Sequence, residues 1–279
     1  MKITIIGTGL IGGSAALVLR EAGFTDFVMG VDNNAAHTAE ALELGIIDAA
    51  VTLDKGIAMA DLIIVAIPVD AAVALLPELL NKATKQVVVD MCSTKGQLLD
   101  AVKDHPARGR YVATHPMWGT EYSGPKAAMA NAFKEKAVIF CDEKGSDADA
   151  LQTVQQMYTV MQMHQVYMDA AAHDVHTAYI SHISHITSFA LANTVLEKEK
   201  EDSAIFELAS AGFESTVRLA KSNSAMWVPI FKQNRDNVLD VLNEHISQLR
   251  KFKSCLEKEN YEYLQELIEN ANKIKRIIK

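Results

Sequence analysis

Seven short runs of β-branched and other apolar residues dominate the first 168 residues of the chain, and helix-like stretches separate most of them. Runs that are apolar throughout are typical of strands buried on both faces of a sheet. Strands of this kind that alternate with helices predict a parallel, doubly wound α/β sheet. The predicted strands are KITIIG, DFVMGVD, DLIIVAIP, QVVVDM, RYVATH, KAVIFC and HQVYMD, and the predicted helices are Ile11–Glu21, Ala35–Leu44, Ala71–Leu80 and Asp147–Met161.

The pattern changes after Met168, where strand signals stop and helical periodicity continues to the C-terminus. We therefore predict a sheet domain over residues 1–168 and an all-α domain over residues 169–279. Two apolar stripes in the second domain alternate spacings of four and three residues, as in coiled-coil seams. They favour dimerisation through these helices, although a helical hairpin within one chain would bury the same stripes. The stripes are Val238, Leu242, His245, Leu249, Phe252 and Leu256, and then Leu264, Leu267, Ala271, Ile274 and Ile278.

The segment ITIIGTGLIGGS places three glycines in GxGxxG spacing directly after the first predicted strand and at the start of the first helix. In such a turn Gly7 permits the tight bend, Gly9 lets a pyrophosphate approach the backbone, and Gly12 lets helix and strand pack closely. The free N–H groups at the helix N-terminus, where Leu10 and Ile11 lie, then face the phosphates. The context predicts a Rossmann-type domain that binds a dinucleotide.

Asp32 indicates which dinucleotide binds. It ends the second predicted strand, twenty residues beyond Gly12, where a carboxylate accepts hydrogen bonds from the adenosine ribose. The same carboxylate repels a 2′-phosphate, and the neighbouring Asn33 and Asn34 offer no cation to bind one. The sequence therefore favours NAD over NADP.

Two further segments, DMCSTKG and THPMWGTE, directly follow predicted strands. Ligands bind beyond the carboxyl ends of the strands in a doubly wound sheet, so both segments should face the nicotinamide ring. Pro116 restricts His115 to extended geometry, which holds the imidazole in place. We expect Ser93 to hydrogen-bond one ring nitrogen of His115 and fix its tautomer. The other nitrogen can then take the proton of a hydroxyl that is being oxidised.

The helical domain carries two more histidine candidates, His182 and His185. They are three residues apart and should share one helix face, which we assign to the substrate side of the site. The pair alone does not complete a metal-ligand set, so no metal site is predicted. The other histidines of this region, His164, His173 and His176, are interpreted as structural or exposed.

Arg218 lies between apolar positions on a short predicted helix. An arginine in such a place usually meets an anion. Arg218 could pair with Glu214, four residues earlier on the same face. It could instead bind a substrate carboxylate in bidentate fashion.

Charge and cysteine content limit the partners and the cellular compartment that we expect for the protein. A formal net charge of -8 argues against a nucleic-acid partner, which needs clustered Lys and Arg. No apolar run is long enough to cross a bilayer, and the N-terminus begins with a strand rather than a signal peptide. The three cysteines are odd in number and share no metal-ligand spacing, which indicates free thiols in a reducing compartment. We expect a cytoplasmic protein with a small-molecule substrate.

Six segments, taken in order, resemble the prephenate and arogenate dehydrogenases of tyrosine biosynthesis over nearly the whole chain. The most specific are HPMWGTEYSG, SHISHITSFALA and GFESTVRLAKSNSAMW, and the others are GTGLIGGS, VDNNAAHTAEALELGIID and DMCSTKG. The resemblance implies a monofunctional, homodimeric enzyme that carries out NAD-dependent oxidative decarboxylation of a cyclohexadienol. Prephenate is the favoured substrate and arogenate is the alternative.

The resemblance also implies roles for individual residues. His115 would bond to the ring hydroxyl and assist its deprotonation, and Ser93 would orient His115. Arg218 would hold a substrate carboxylate. Glu121 would shape or gate the pocket, and His185 would contact the side-chain end of the substrate.

Two other classes of protein remain open. A 3-hydroxyacid dehydrogenase or imine reductase has a similar two-domain plan. The hydroxyacid enzymes of that plan carry a lysine on the first long helix of the second domain, where residues 170–196 here contain histidines and no lysine. A non-catalytic NAD-sensing protein would need a partner surface or a DNA-binding element, and neither is evident in the sequence.

Overall fold

The computed structural model of the chain describes residues 1–200 and 207–277. Within these residues, eight strands form one sheet in the order β3-β2-β1-β4-β5-β6-β7-β8. Apolar side chains that alternate along the strands build one buried cluster on each face of the sheet. The strands are β1 Lys2–Ile6, β2 Phe27–Val31, β3 Ala49–Ala50, β4 Leu62–Val65, β5 Val87–Asp90, β6 Tyr111–Pro116, β7 Ala137–Cys141 and β8 His164–Met168.

All seven predicted strands are present, and the predicted α/β class with a doubly wound sheet is confirmed. Residues of β4 and β5 are buried along their whole length, as their unbroken apolar sequences predicted. The short strand β3 was not predicted, because two alanines carry no periodicity.

The sheet departs from the prediction at β7, which pairs antiparallel with β6, whereas β8 runs parallel to β7. The physical reason lies in the connections. The chain between β6 and β7 contains only a short 3-10 turn, Pro125–Ala127, and no crossover helix, so β7 returns in the opposite direction. Helix α6 separates β7 from β8, and a strand–helix–strand unit keeps its two strands parallel.

The helices cover the sheet and then continue alone to the C-terminus. The predicted helices correspond to α1, α2, α4 and α6, while the seven-residue helices α3 and α5 were too short to predict. The helices are α1 Leu10–Glu21, α2 Ala35–Glu43, α3 Leu53–Met59, α4 Val69–Lys82, α5 Gly96–Val102, α6 Ala148–Val160, α7 Ala170–Thr177, α8 Ile183–Glu199, α9 Ala211–Val217, α10 Ser224–Gln233, α11 Arg235–Glu257 and α12 Tyr261–Ala271.

A π-helical turn, Ala178–His182, joins α7 to α8. A π turn is wider than an α-helical turn, is rare, and occurs mostly at functional sites. Asp169 caps the N-terminus of α7, because its side chain accepts a hydrogen bond from the backbone N–H of Ala172. This cap fixes the start of the helix that leads into the π turn.

The chain forms two compact units, Met1–Asn234 and Arg235–Lys279. The first contains the sheet and α1–α10, and the second contains α11 and α12. Several stripe leucines and isoleucines of the second unit are largely exposed in the single chain: Leu249, Leu256 and Ile274. Ile278, the last residue of the predicted stripe, lies outside the described residues. No helix in the described ranges has both the length and the apolar character that a bilayer crossing requires.

Candidate active site

The glycine turn between β1 and α1 has the backbone that a dinucleotide requires. Gly7 adopts a φ of +96°, and a Cβ there would collide with the carbonyl group of Ala66. A Cβ on Gly12 would overlap the carbonyl oxygen of Gly7, so helix and strand meet closely only because both are glycines. At Gly9 the space is open, since the nearest non-adjacent atom to a Cβ would be the Gly124 nitrogen at 3.9 Å. A ligand can approach the backbone there.

Helix α1 starts at this turn with Gly9 as its N-cap and without a capping side chain. Leu10 and Ile11 form its first turn. Uncapped N–H groups at a helix N-terminus bind anions, because the unpaired donors and the helix dipole both favour negative charge. The residues present therefore fit the pyrophosphate of a dinucleotide.

Asp32 follows β2 at the edge of the sheet where the glycine turn follows β1. Its Oδ2 accepts hydrogen bonds from the backbone nitrogen and the hydroxyl of Thr8 at 3.0 and 3.2 Å, and its Oδ1 accepts one from the Asn34 nitrogen at 2.9 Å. His37 Nδ1 lies 3.6 Å from Oδ2. The contacts fix the carboxylate and leave Oδ1 able to accept another donor, as a ribose hydroxyl requires.

His115 belongs to a chain of hydrogen bonds that was not predicted from the sequence. It is buried at the end of β6, and its Nδ1 lies 2.9 Å from Nε2 of His173 on α7. The Nδ1 atom of His173 in turn lies 2.8 Å from Oδ1 of Asp174. The two rings meet edge to face, with centroids 5.1 Å apart. The chain therefore connects a strand of the sheet to a helix of the second half.

Asp174 is held as an anion. Burial alone would raise the pKa of its carboxyl, but hydrogen bonds from His173 and from two backbone N–H groups hold that pKa below its usual value. The backbone donors are Lys95 to Oδ1 at 2.9 Å and Gly96 to Oδ2 at 2.8 Å. Gly96 begins α5, so the carboxylate also lies at a helix N-terminus.

The chain fixes the tautomer of His115. A carboxylate only accepts, so a neutral His173 carries its proton on Nδ1 and presents an unprotonated Nε2. His115 must then donate from Nδ1, which leaves a lone pair on its Nε2. Burial lowers the pKa of His115 well below its usual value, and the nearby His173, Lys95 and His182 lower it further. His115 is thus a neutral imidazole with one nitrogen available to take a proton.

The structure contradicts the predicted hydrogen bond between Ser93 and His115. Ser93 is half-buried in the loop after β5, and within the described residues it makes no hydrogen bond to His115, whose Nδ1 pairs with His173. His173, interpreted from sequence as structural or exposed, is buried and bonded to His115. The adjacent histidine and aspartate in AAHDVH were the available signal, but spacing could not show a partner 58 residues away.

His182 and His185 both contact Trp227 on α10. The His185 ring stacks on the indole with centroids 3.5 Å apart, and the His182 ring meets it edge-on at 5.9 Å. Nδ1 of His182 accepts a hydrogen bond from Nδ2 of Asn234 at 3.2 Å, and the same amide donates to the backbone carbonyl of Asp174 at 2.6 Å. Burial lowers the pKa of His182 to about 4. His182 is therefore neutral and linked to the His115 chain through Asn234.

Arg218 pairs with Glu121, not with Glu214. Its Nη1 atom lies 3.0 Å from Oε2 of Glu121, so the predicted alternative pairing with Glu214 is wrong. The guanidinium is half exposed, at 51%, which leaves donors on its outer edge available to a second anion. Arg218 also contributes to lowering the pKa of His185, after the larger effect of burial.

The structure thus joins most of the predicted residues into two groups. Hydrogen bonds and ring contacts connect His115, through His173, Asp174 and Asn234, to His182, and ring contacts on Trp227 extend this group to His185. Glu121 lies in the loop that follows β6, the strand of His115, and pairs with Arg218. The described residues contain no group of three or more His, Cys, Asp or Glu side chains arranged to hold a metal ion.

Two family models of known proteins match this chain, and they meet near residue 168, where the sequence pattern changes from strands to helices. Residues 15–167 match the family model described as the nucleotide-binding domain of prephenate dehydrogenase. Residues 169–270 match the model described as its dimerization domain.

Individual relatives agree with the family models. The prephenate dehydrogenase of Bacillus subtilis is 32% identical over 95% of this chain and 73% of its own length. That of Lactococcus lactis is 28% identical over 99% of this chain and 77% of its own length. The crystal structure of prephenate dehydrogenase from Aquifex aeolicus, in complex with hydroxyphenyl propionate and NAD+, superposes with a TM-score of 0.86. That match covers 99% of this chain and 97% of the other at 29% identity.

Proposed function

Because the chain belongs to the prephenate dehydrogenase family, we propose that it catalyses the NAD-dependent oxidative decarboxylation of prephenate to 4-hydroxyphenylpyruvate. The observation that carries the proposal is the hydrogen-bonded chain from Asp174 through His173 to Nδ1 of His115, which orients a buried imidazole with its Nε2 as the nitrogen that can take a proton. A reaction that begins by removing a proton from a ring hydroxyl needs such a base.

The proton at the hydroxyl is the part of the reaction that His115 manages. Nε2 takes the hydroxyl proton as hydride leaves the carbon that bears the oxygen. Loss of carbon dioxide from the opposite ring carbon then supplies the electron pair that makes the ring aromatic, and His115 returns the proton to the phenolate oxygen. NAD, when bound, supplies the hydride acceptor. Because aromatisation provides the driving force, the protein mainly aligns the ring and controls charge.

We assign the other end of the substrate to the helical half of the site. Arg218 presents the outer edge of its guanidinium to a substrate carboxylate, while Glu121 holds its inner edge. His185, stacked on Trp227, contacts the side-chain end, and His182 supports it from the buried side of the same indole. Glu121 shapes the pocket through its ion pair with Arg218.

The cofactor residues are assigned to the glycine turn and the acid that follows β2. Gly7, Gly9 and Gly12 form the turn, the backbone of Leu10 and Ile11 binds the pyrophosphate, and Asp32 binds the adenosine ribose. Ser93 is also assigned as a cofactor contact, because its loop follows β5 at the same edge of the sheet.

We further propose that residues 1–168 bind the cofactor and that residues 169–279 complete the substrate site and form a homodimer in the cytoplasm. The match of residues 169–270 to a dimerization domain supports the assembly. Exposed leucines on the predicted seam, Leu249 and Leu256, support it too. The three cysteines are buried free thiols, as in a reducing compartment. Sedimentation at micromolar concentration should report a dimer, and charges at Leu249 and Leu267 should weaken it.

The direct test is turnover by the purified enzyme with NAD and each candidate acid in turn, followed by NADH absorbance. We expect activity with prephenate and release of carbon dioxide. Activity with arogenate alone would move the assignment to the alternative substrate. Absence of NADH formation with either acid, in a protein that binds NAD, would contradict the proposal.

A further inference from the structure

Lys95 is a fully buried cation next to the catalytic histidine. It lies in the loop between β5 and α5, and its Nζ donates to Oδ2 of Asp90 and, at 2.7 Å, to the backbone carbonyl oxygen of Thr114. A buried ion pair adds little net stability by itself, because the loss of hydration offsets the attraction. Its consequence therefore lies in what the pair holds in place.

The side chain of Lys95 and its partner Asp90 hold the backbone of Thr114 from both sides. Oδ1 of Asp90 accepts the Thr114 backbone N–H at 3.0 Å and the Tyr111 hydroxyl at 2.8 Å. Lys95 binds the Thr114 carbonyl, and the Thr114 hydroxyl donates to the Asp90 carbonyl and lies 2.6 Å from the Tyr158 hydroxyl. Thr114 directly precedes His115, so this network fixes the backbone from which the imidazole extends.

The backbone of the same loop holds the other end of the histidine chain. The N–H groups of Lys95 and Gly96 donate to the two oxygens of Asp174, which orients His173 and through it His115. The fit is close, because a Cβ on Gly96 would lie 3.1 Å from Oδ2 of Asp174. One loop therefore restrains His115 through its backbone and through its ring.

We propose that Lys95 is the positioning residue for His115: its side chain fixes the backbone before the histidine, and its own N–H fixes the carboxylate that orients the histidine chain. The proposal rests on the proposed function, in which His115 takes a proton from the substrate. It adds a second effect, because the cation opposes a positive charge on the imidazole.

The electrostatic part depends on the groups around both residues. His115 faces His173 on α7, His182 in the π turn and Lys95. Lys95 faces Asp90, Cys92 and Cys141, and although burial alone would lower its pKa, the Asp90 carboxylate raises it above the usual value. Burial raises the pKa of both thiols, so they are uncharged. Lys95 therefore remains a cation and favours the neutral form of His115.

The test removes the charged pair as a unit, because Lys95→Met alone would leave the Asp90 carboxylate buried without a cation. In Asp90→Asn/Lys95→Met we expect kcat to fall about tenfold or more, while the Kd for NAD and the KM for prephenate change by less than about twofold. The acidic limb of the kcat/KM profile should move to higher pH. A merely structural role would not move that limb.

The matched control is Thr4→Val, which removes a buried hydrogen bond of Thr4 to the Gly56 carbonyl, on strand β1. It should lower the melting temperature without shifting the pH profile. A double variant that folds and keeps both the wild-type kcat and the wild-type pH profile would overturn the proposal. Asp90→Asn/Lys95→Gln provides a second neutral pair, and its amide can still donate.

A measurement on the wild type covers the case in which both pairs fail to fold. In ¹⁵N-histidine NMR, His115 should keep its proton on Nδ1 and should stay neutral at pH values at which an exposed histidine becomes protonated. Ordinary titration of His115 would overturn the proposal. Because this readout and the Kd for NAD require no turnover, they separate failure of this inference from failure of the proposed activity.

Discussion

The cofactor turn and the histidine cluster are built in opposite ways. At the turn, Gly7, Gly9 and Gly12 act by lacking side chains, and the groups proposed to meet the ligand are backbone N–H groups of one continuous segment. The cluster is made of side chains from distant segments, since His115 and His173 are 58 residues apart. A backbone site can be recognised from spacing alone. A side-chain site depends on contacts that only the fold creates.

The cofactor turn and the histidine cluster should also differ in how they respond to amino-acid substitutions. Outside the glycines themselves, substitutions leave the backbone donors of the turn in place, whereas the tautomer of His115 depends on each member of its chain. Substitutions in the cluster should therefore affect turnover, and substitutions at the turn should affect cofactor binding.

The largest effect is expected at His115. His115→Asn should lower kcat by about 10²- to 10⁴-fold, because it removes the base, and should leave the Kd for NAD unchanged. Steady-state kinetics measure kcat, and a titration with NAD followed by intrinsic fluorescence measures the Kd. A near-normal kcat would return His115 to a structural role and remove the basis of the comparison.

Asp174→Asn tests whether the chain behaves as a unit. An amide that donates to His173 would reverse the chain and place a proton on Nε2 of His115, so kcat should fall about 10²-fold. Asp169→Asn, on the same helix, keeps its capping bond and should be active at the wild-type rate. If the two variants have equal kcat values, the chain does not set the tautomer.

Arg218→Ala should raise the KM for prephenate at least about tenfold, because a charge-assisted bidentate pair is lost, while kcat changes less. Lysine should restore the affinity only partly, since it lacks the planar fork. The exposed Lys221 offers the control Lys221→Ala. Were Arg218 needed only to pair with Glu121, then Glu121→Gln would reproduce the same rise in KM.

A smaller effect is expected at the cofactor turn. Asp32→Ser should weaken NAD binding about 2- to 10-fold through loss of a ribose hydrogen bond, and should improve the use of NADP by removing repulsion of the 2′-phosphate. Asn33→Ser is the matched control on the neighbouring exposed residue. Equal use of both cofactors by the wild-type enzyme would contradict the role of Asp32.

The smallest effect concerns stability in acid. Because burial lowers the pKa of His182 to about 4 in the fold, against an ordinary value of 6.5, the unfolded chain binds a proton between these values that the folded chain does not. Above pH 6.5 His182 is mostly neutral in both states and has little effect on the free energy of unfolding. As the pH falls below this value, the unfolded chain is favoured, and at pH 5.5 the free energy of unfolding is lower by about 1 kcal/mol. Urea titrations of His182→Asn should show a weaker dependence on pH than wild type, and the exposed His176→Asn should not.

Local pattern predicted the sheet, the glycine turn and the position of His115, because each depends on neighbours within one segment. It failed where partners come from elsewhere. Ser93 was assigned to His115 because both follow strands, yet the bond is made by His173, and Arg218 meets Glu121 rather than the nearer Glu214. The reversal at β7 was missed because hydrophobic pattern carries no strand direction.

The π turn at Ala178–His182 sets the rotational phase of everything that follows it. Each residue of an α-helix advances the side chains by about 100°, so deletion of one residue here would turn α8 by roughly that angle relative to α7. His182 and His185 both follow the deleted position, so both would rotate together, away from Asn234 and from the indole of Trp227. The extra residue in this turn therefore acts as a fixed angular offset, and a shortened helix would turn both histidines away from α10.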